Sequence, residues 1–296
     1  MLITSLLVLS YLLYQFRTSY NTITWIEISK KVFFLLILIG SLFITNFITK
    51  KNGLSKDDSF TFLLFFTFLL LFPKTLSSDT LIISNAFILL ALRRLISMQS
   101  LVNVKEKIFD ASLWIFAASL FNFWVILFLL LVFTSIIIHA SRDYKNWIIP
   151  FIAFLVVLVL SIFFSLLINP SEINNYIQSI TIDVNFYYIT SIFQSISLLI
   201  YGVFATTAFV SMLFILPTKM SNYQSAYRKI LFAFIIGITI FILSFNKDNS
   251  LLLFTFVPVS IMLTNLLESI KKYWIKESIL VILLLASIVS FVLRML

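Results

Sequence analysis

The chain has 296 residues, 61% of them hydrophobic and 11% charged, with a mean hydropathy of +1.10 and a formal net charge of +9. A soluble domain is nearer half apolar and a quarter charged. The cations here sit in short clusters between apolar runs, which points to membrane topology and away from nucleic acid. The lack of cysteine excludes disulfides, thiolate metal sites and thiol catalysis.

Apolar runs of membrane-spanning length recur along the chain, and no polar stretch is long enough to fold by itself. The expectation is one polytopic membrane domain over residues 1–296, all-α throughout. The first segment, MLITSLLVLSYLLYQF, is apolar from its first residue. It shows neither a basic n-region nor a small-residue cleavage site, so it reads as a retained helix. Further apolar segments fall near 32–49, 59–73, 79–97, 108–121, 123–139, 147–168, 186–216, 229–245, 250–267 and 278–295.

The stretch 108–139 is the ambiguous one. As a single helix it would run about 48 Å, too long for a hydrocarbon core of about 30 Å. Split at Phe121-Asn122 it becomes a hairpin of two short helices, with Asn122 satisfying the carbonyls of the turn. Charge decides between the two. With the split, the loops at 50–58, 93–107, 140–146, 217–228 and 268–277 fall on one side and, with Lys229 at their edge, carry fifteen of the 21 basic residues. Without it the bias collapses after residue 121. The positive-inside rule then gives about eleven transmembrane helices with a cytoplasmic N-terminus and an outward-facing loop at 169–185.

Most charges lie at segment ends. Arg93 and Arg94 close the fourth segment. The run 98–107 reads as an interfacial connector, with Leu101, Val102 and Val104 towards lipid and Lys105 and Lys107 towards phosphates. These four cations are candidate headgroup contacts or topology anchors. Asp110 reads as a helix-start acid paired with a nearby lysine, and Glu268 as one paired with Lys271 or Lys272. The five tryptophans, Trp25, Trp114, Trp124, Trp147 and Trp274, fall near segment boundaries as belt residues do. No GxxxG occurs, so close helix crossings are expected to use Ser, Thr and Ala. No phosphate loop, HExxH or GxSxG motif is present, and one histidine, His139, cannot build a histidine metal site.

Two resemblances follow. LLALRRLISMQSLVNVKEKIFDASLWIFAASLFNFWVILFLLLVFTSI, then DYKNWIIPFIAF and VPVSIMLTNLLE, resemble a family of uncharacterised bacterial multi-pass membrane proteins, with no activity attached. The pattern FPKTLSSDTLIISNAFILLAL is similar to the outer loop between the third and fourth helices of GT-C glycosyltransferases, with Pro73 and Asp79 in matching places. NKDNSLLLFTFVPVSIML is similar to their late segment, in which a basic residue precedes a proline that opens a helix. It places Lys247 and Pro258 there. That second resemblance implies Glu27 and Asp79 as catalytic carboxylates, Lys247 as a phosphate contact, a polyprenyl-phosphate-linked substrate and a divalent metal.

The composition and the first resemblance together lead to an expectation of a bacterial inner-membrane protein without cofactor or resident metal. Its expected role is a non-catalytic or lipid-binding subunit of an envelope-assembly or secretion system, with membrane lipids and other envelope proteins as partners. The alternatives are the GT-C-like transferase and a transporter of lipid-linked substrates.

Overall fold

The structure, a computed structural model, describes residues 2–18, 25–56, 58–165, 180–182, 192–245 and 247–295. Among these there is no strand, and eleven α-helices follow one another. They are α1 (Leu2–Thr18), α2 (Trp25–Lys51), α3 (Asp58–Leu71), α4 (Asp79–Ile96), α5 (Val104–Ser119), α6 (Leu129–His139), α7 (Lys145–Ser165), α8 (Ile192–Ile215), α9 (Ser221–Leu243), α10 (Leu253–Ser269) and α11 (Tyr273–Met295). Most of the expected outer loop at 169–185, and the start of the 186–216 segment, lie outside the described residues.

Seven of the helices, α2, α4 and α7 to α11, are long and apolar enough to cross a membrane. Two shorter apolar helices accompany them, at Ser59–Leu71 and Phe123–His139. A backbone in hydrocarbon must satisfy its own polar groups, so Phe-rich and β-branched runs of modest helix propensity form helices here. With few Gly and Pro in the chain, the helix ends are made by particular residues. Gly53, at φ +58°, ends α2, and the Leu54 N–H returns to the Thr49 carbonyl.

One helix is central. In α10 and the short 3₁₀ turn before it, 94% of the most apolar stretch is buried, against 22% in each of α7, α8 and α11. Around it pack α3, α8 and α9, while α2, α4, α5 and α7 extend the bundle sideways in that order. Phe256 of α10 stacks on Phe72 and meets Phe65, Phe68 and Tyr201. Tyr201 closes the group through a 2.6 Å hydrogen bond with Thr255.

The crossing of α9 over α10 differs from the expectation that Ser, Thr and Ala alone make such approaches. It turns on Gly237. A Cβ there would stand 2.5 Å from Cγ2 of Thr255 and 3.4 Å from the Phe254 backbone. Ala205 and Ala208 lie on the buried stripe of α8.

The chain does break within 108–139. After Ser119 a turn at Leu120-Phe121 leads to an extended Asn122 and a 3₁₀ segment, Phe123–Phe128, ahead of α6. Asn122 makes no side-chain cap. The turn is satisfied instead by the N–H groups of Phe121 and Asn122 and by the Ser84 hydroxyl of α4, all donating to the Ala118 carbonyl. Ser84 lies about 7.5 Å along α4 from Asp79, so the hairpin turns below the level of the α4 start. Trp25 and Trp274 are exposed at helix starts. Trp124 is buried, and Trp114 stacks on Phe87 inside the bundle. These two are packing residues because the hairpin places them against α4 and α9.

Candidate functional site

Polar side chains gather at the two ends of the bundle. At the end formed by the starts of α2, α4 and α10, Lys30 pairs with Asp79 at 2.9 Å and Lys74 with Asp248 at 2.8 Å. The first pair joins α2 to α4. The second joins the 3₁₀ turns on either side, Pro73–Ser77 and Asn249–Leu252. Glu27 stands exposed in the first turn of α2, three residues before Lys30 and so on the same face. Lys247 is buried next to Asp248. A crevice of about 120 Å3 between α1 and α2, lined in part by Tyr11, Gln15, Ile28 and Lys31, lies beside the Glu27 corner. The Gln15 amide ties α1 down by donating to the Leu76 carbonyl at 3.1 Å.

The three residues that the transferase resemblance singles out thus share one end, in two corners joined by the Pro73–Ser77 turn. Asp79 is ion-paired. Pro258 departs from the pattern, since it sits in the second turn of α10 rather than opening the helix. Among the described residues, no three or more His, Asp or Glu side chains come together as a metal site would require.

The opposite end is basic. Arg94 pairs with Asp110 at 2.8 Å and Lys105 with Asp143 at 3.0 Å. The lysine expected to pair with Asp110 is engaged elsewhere. Lys107 caps the end of α4, donating to the Ser97 carbonyl at 2.7 Å and the Ser100 hydroxyl at 2.8 Å. Burial, and then the charges of Arg94 and Lys51, hold the Lys107 ammonium below the ordinary lysine pKa. A hydrogen bond from Lys105, reinforced by the Lys145 N–H, holds Asp143 below the ordinary carboxylate value. Leu101 and Asn103 adopt left-handed backbone at φ 55° and 49°, which turns Leu101 and Val102 outward, each 62% exposed. Leu101 and Val102 are exposed, whereas Val104, expected beside them, packs against the core and Lys107 points inward.

A family model matches residues 1–296, and that decides the family. The chain belongs to DUF6427, a family of unknown function. No curated protein and no solved structure matches it.

Two open clefts mark the basic end of this DUF6427 protein. One, of about 750 Å3, lies between the 101–106 connector and the 138–146 turn, with Lys105, His139, Arg142 and Asn146 on its walls beside Glu106 and Asp143. The other, of about 530 Å3, lies between the ends of α2 and α4 and carries Lys50, Lys51 and Arg93. Both present cations and donor hydrogens, the groups that pair with anions.

Several residues escape a reading of the sequence. Lys229, only 1% exposed, reaches from α9 to the Leu95 carbonyl at the end of α4. Asn265 is a hub. Its carbonyl accepts from Lys219 at 2.9 Å and Tyr227 at 3.2 Å, and its amide donates to Leu54 at 2.8 Å. Glu268, which the sequence assigns to Lys271 or Lys272, accepts from the Lys56 N–H at 2.7 Å. A single asparagine near the end of an apolar run is the one signal that could have pointed to Asn265.

Proposed function

We propose that this protein is a non-catalytic, lipid-binding membrane subunit. In this reading it crosses the bacterial cytoplasmic membrane eleven times, with its N-terminus and its basic end on the cytoplasmic side, and serves an envelope-assembly or secretion complex. The observation that carries the non-catalytic part is the use made of carboxylates. Asp79, Asp248, Asp110 and Asp143 each pair with a cation from another element, and so act as ties between helices. A transferase would need Asp79 free to take a proton or a metal. The grouping of helix ends, with α2, α4, α6, α8 and α10 finishing at the basic end, supports the eleven-pass topology.

A charge swap tests the role of Asp79. If the ion pair is a tie, Lys30→Asp or Asp79→Lys alone lowers the unfolding midpoint modestly, by about 0.2–1 kcal/mol of stability for so exposed a pair. The double swap then restores it. Release of polyprenyl phosphate from a polyprenyl-phosphate sugar, lost in a stably folded Asp79→Asn variant, would establish the transferase instead. Single cysteines in this cysteine-free chain test the topology. Val102→Cys should label from the cytoplasmic side and Trp25→Cys from the other.

A further inference from the structure

The 530 Å3 cleft differs in charge from the rest of the basic end. Its cations are Lys50 and Lys51 of α2 and Arg93 of α4, and no carboxylate lines it. The Arg93 guanidinium lies 4.4 Å from the ring centroid of Phe47, and the Lys51 ammonium lies 5.2 Å from the same centroid. Two like charges are therefore held close together at one ring. Neighbouring cations are already answered: Arg94 by Asp110, Lys105 by Asp143, and Lys107 by Ser97 and Ser100. Among the described residues, none of the three cleft cations has a carboxylate in ion-pair contact.

Helix dipoles do not close this gap. Two helix C-termini together supply roughly one negative charge, against three cations. The remaining walls are apolar. Phe43, 57% exposed, and Phe47, 39% exposed, line the cleft together with Ile44. Phe43 lies two turns further into α2 than Lys50, so an occupant meets charge at one end and aromatic surface over the next ~10 Å. One turn in from Lys50, Oδ1 of Asn46 is buried in this lining without a hydrogen-bond partner. An amide there offers a donor or an acceptor to a polar linkage between the two zones.

We infer that this cleft binds one anionic phospholipid. Its phosphate lies on Lys50, Lys51 and Arg93, its ester region at Asn46, and one acyl chain runs along Phe43, Ile44 and Phe47. Charge complementarity calls for the anion, and the apolar wall calls for a lipid rather than free phosphate. The inference rests on the lipid-binding reading above and gives it a location.

The test is native mass spectrometry of the full chain in detergent, titrated with phosphatidylglycerol or phosphatidylcholine. The wild-type protein should hold one phosphatidylglycerol in preference to phosphatidylcholine, and inorganic phosphate should not displace it. The Lys51→Gln/Arg93→Gln variant should bind phosphatidylglycerol roughly thirtyfold more weakly, from the loss of two interfacial cations. Lys271→Gln/Lys272→Gln, at the same end of the bundle, should leave binding unchanged. Phe43→Ser, which keeps every charge, should weaken binding of long-chain but not of short-chain phosphatidylglycerol. If phosphatidylglycerol binds the Lys51/Arg93 variant as tightly as wild type, the cleft assignment is overturned while the lipid-binding reading stands. If no lipid is held at all, both fall. Displacement by inorganic phosphate would show a free-anion site and overturn the lipid.

Discussion

α10 and α11 have nearly the same hydropathy and opposite fates. The stretch containing α10 is 94% buried and that of α11 is 22% buried. Composition does not separate them, because lipid is as apolar a neighbour as leucine. The difference lies in where the polar side chains fall. Thr255, Ser260, Thr264 and Asn265 are spread around α10, and each is buried and hydrogen-bonded. In the apolar body of α11, Ser287 and Ser290 are the buried polar residues, and the faces bearing Ile282 and Leu285 are exposed. A helix with polar groups on every side must be surrounded by protein, whereas one with a single polar stripe can lie at the rim.

The contrast predicts a graded set of losses. Phe256→Ala, in the ring cluster of α10, should cost the most. In lipid the transfer part of a core substitution is missing and the cavity part remains, so about 2–3 kcal/mol is expected in an unfolding titration. Gly237→Ala should follow at about 1–3 kcal/mol. Thr255 cannot rotate out of the way while its hydroxyl is held by Tyr201 and the Leu252 carbonyl, so α9 must move off α10. A Gly237→Ala protein as stable as wild type would show that this crossing is not tight.

Asn265→Leu should cost about 1–2 kcal/mol, since Lys219, Tyr227 and the Leu54 carbonyl lose a partner. It should also raise protease cleavage within residues 52–56, a local effect that distinguishes a lost clasp from general weakening. Ile282→Ala on α11, 61% exposed, should change stability by less than about 0.5 kcal/mol. A loss as large as that of Phe256→Ala would mean that a partner covers α11, and the distinction between centre and rim would then belong to the isolated chain alone.

The ends of the bundle show the same division between what sequence states and what it leaves open. Arg94 and Lys105 are recognisable as interfacial cations from their place in a basic loop, but their acids, Asp110 and Asp143, lie sixteen and thirty-eight residues further on. Asp79 is legible as a helix-start acid, while its ion pair with Lys30 depends on how α2 and α4 align. The nearby lysines do not pair with Asp110, because Lys105 is held by Asp143 and Lys107 donates to the Ser97 carbonyl and the Ser100 hydroxyl. The hairpin was legible because length and charge parity both require a break there. Its satisfaction by Ser84 was not, because that hydroxyl comes from another helix.

By itself, then, the sequence determined the membrane class, the helical segments, the break near Phe121-Asn122 and the clustering of cations. These follow from run length, backbone hydrogen-bond demand and charge at segment ends, all of which are local along the chain. The tertiary structure alone decided that α10 is central, that Gly237 sets a crossing, that Lys229 and Asn265 are buried ties, and that Lys50, Lys51 and Arg93 meet in one cleft. Each of those requires knowing which helix faces which, and hydropathy is silent on that when lipid and protein are equally good neighbours for an apolar side chain.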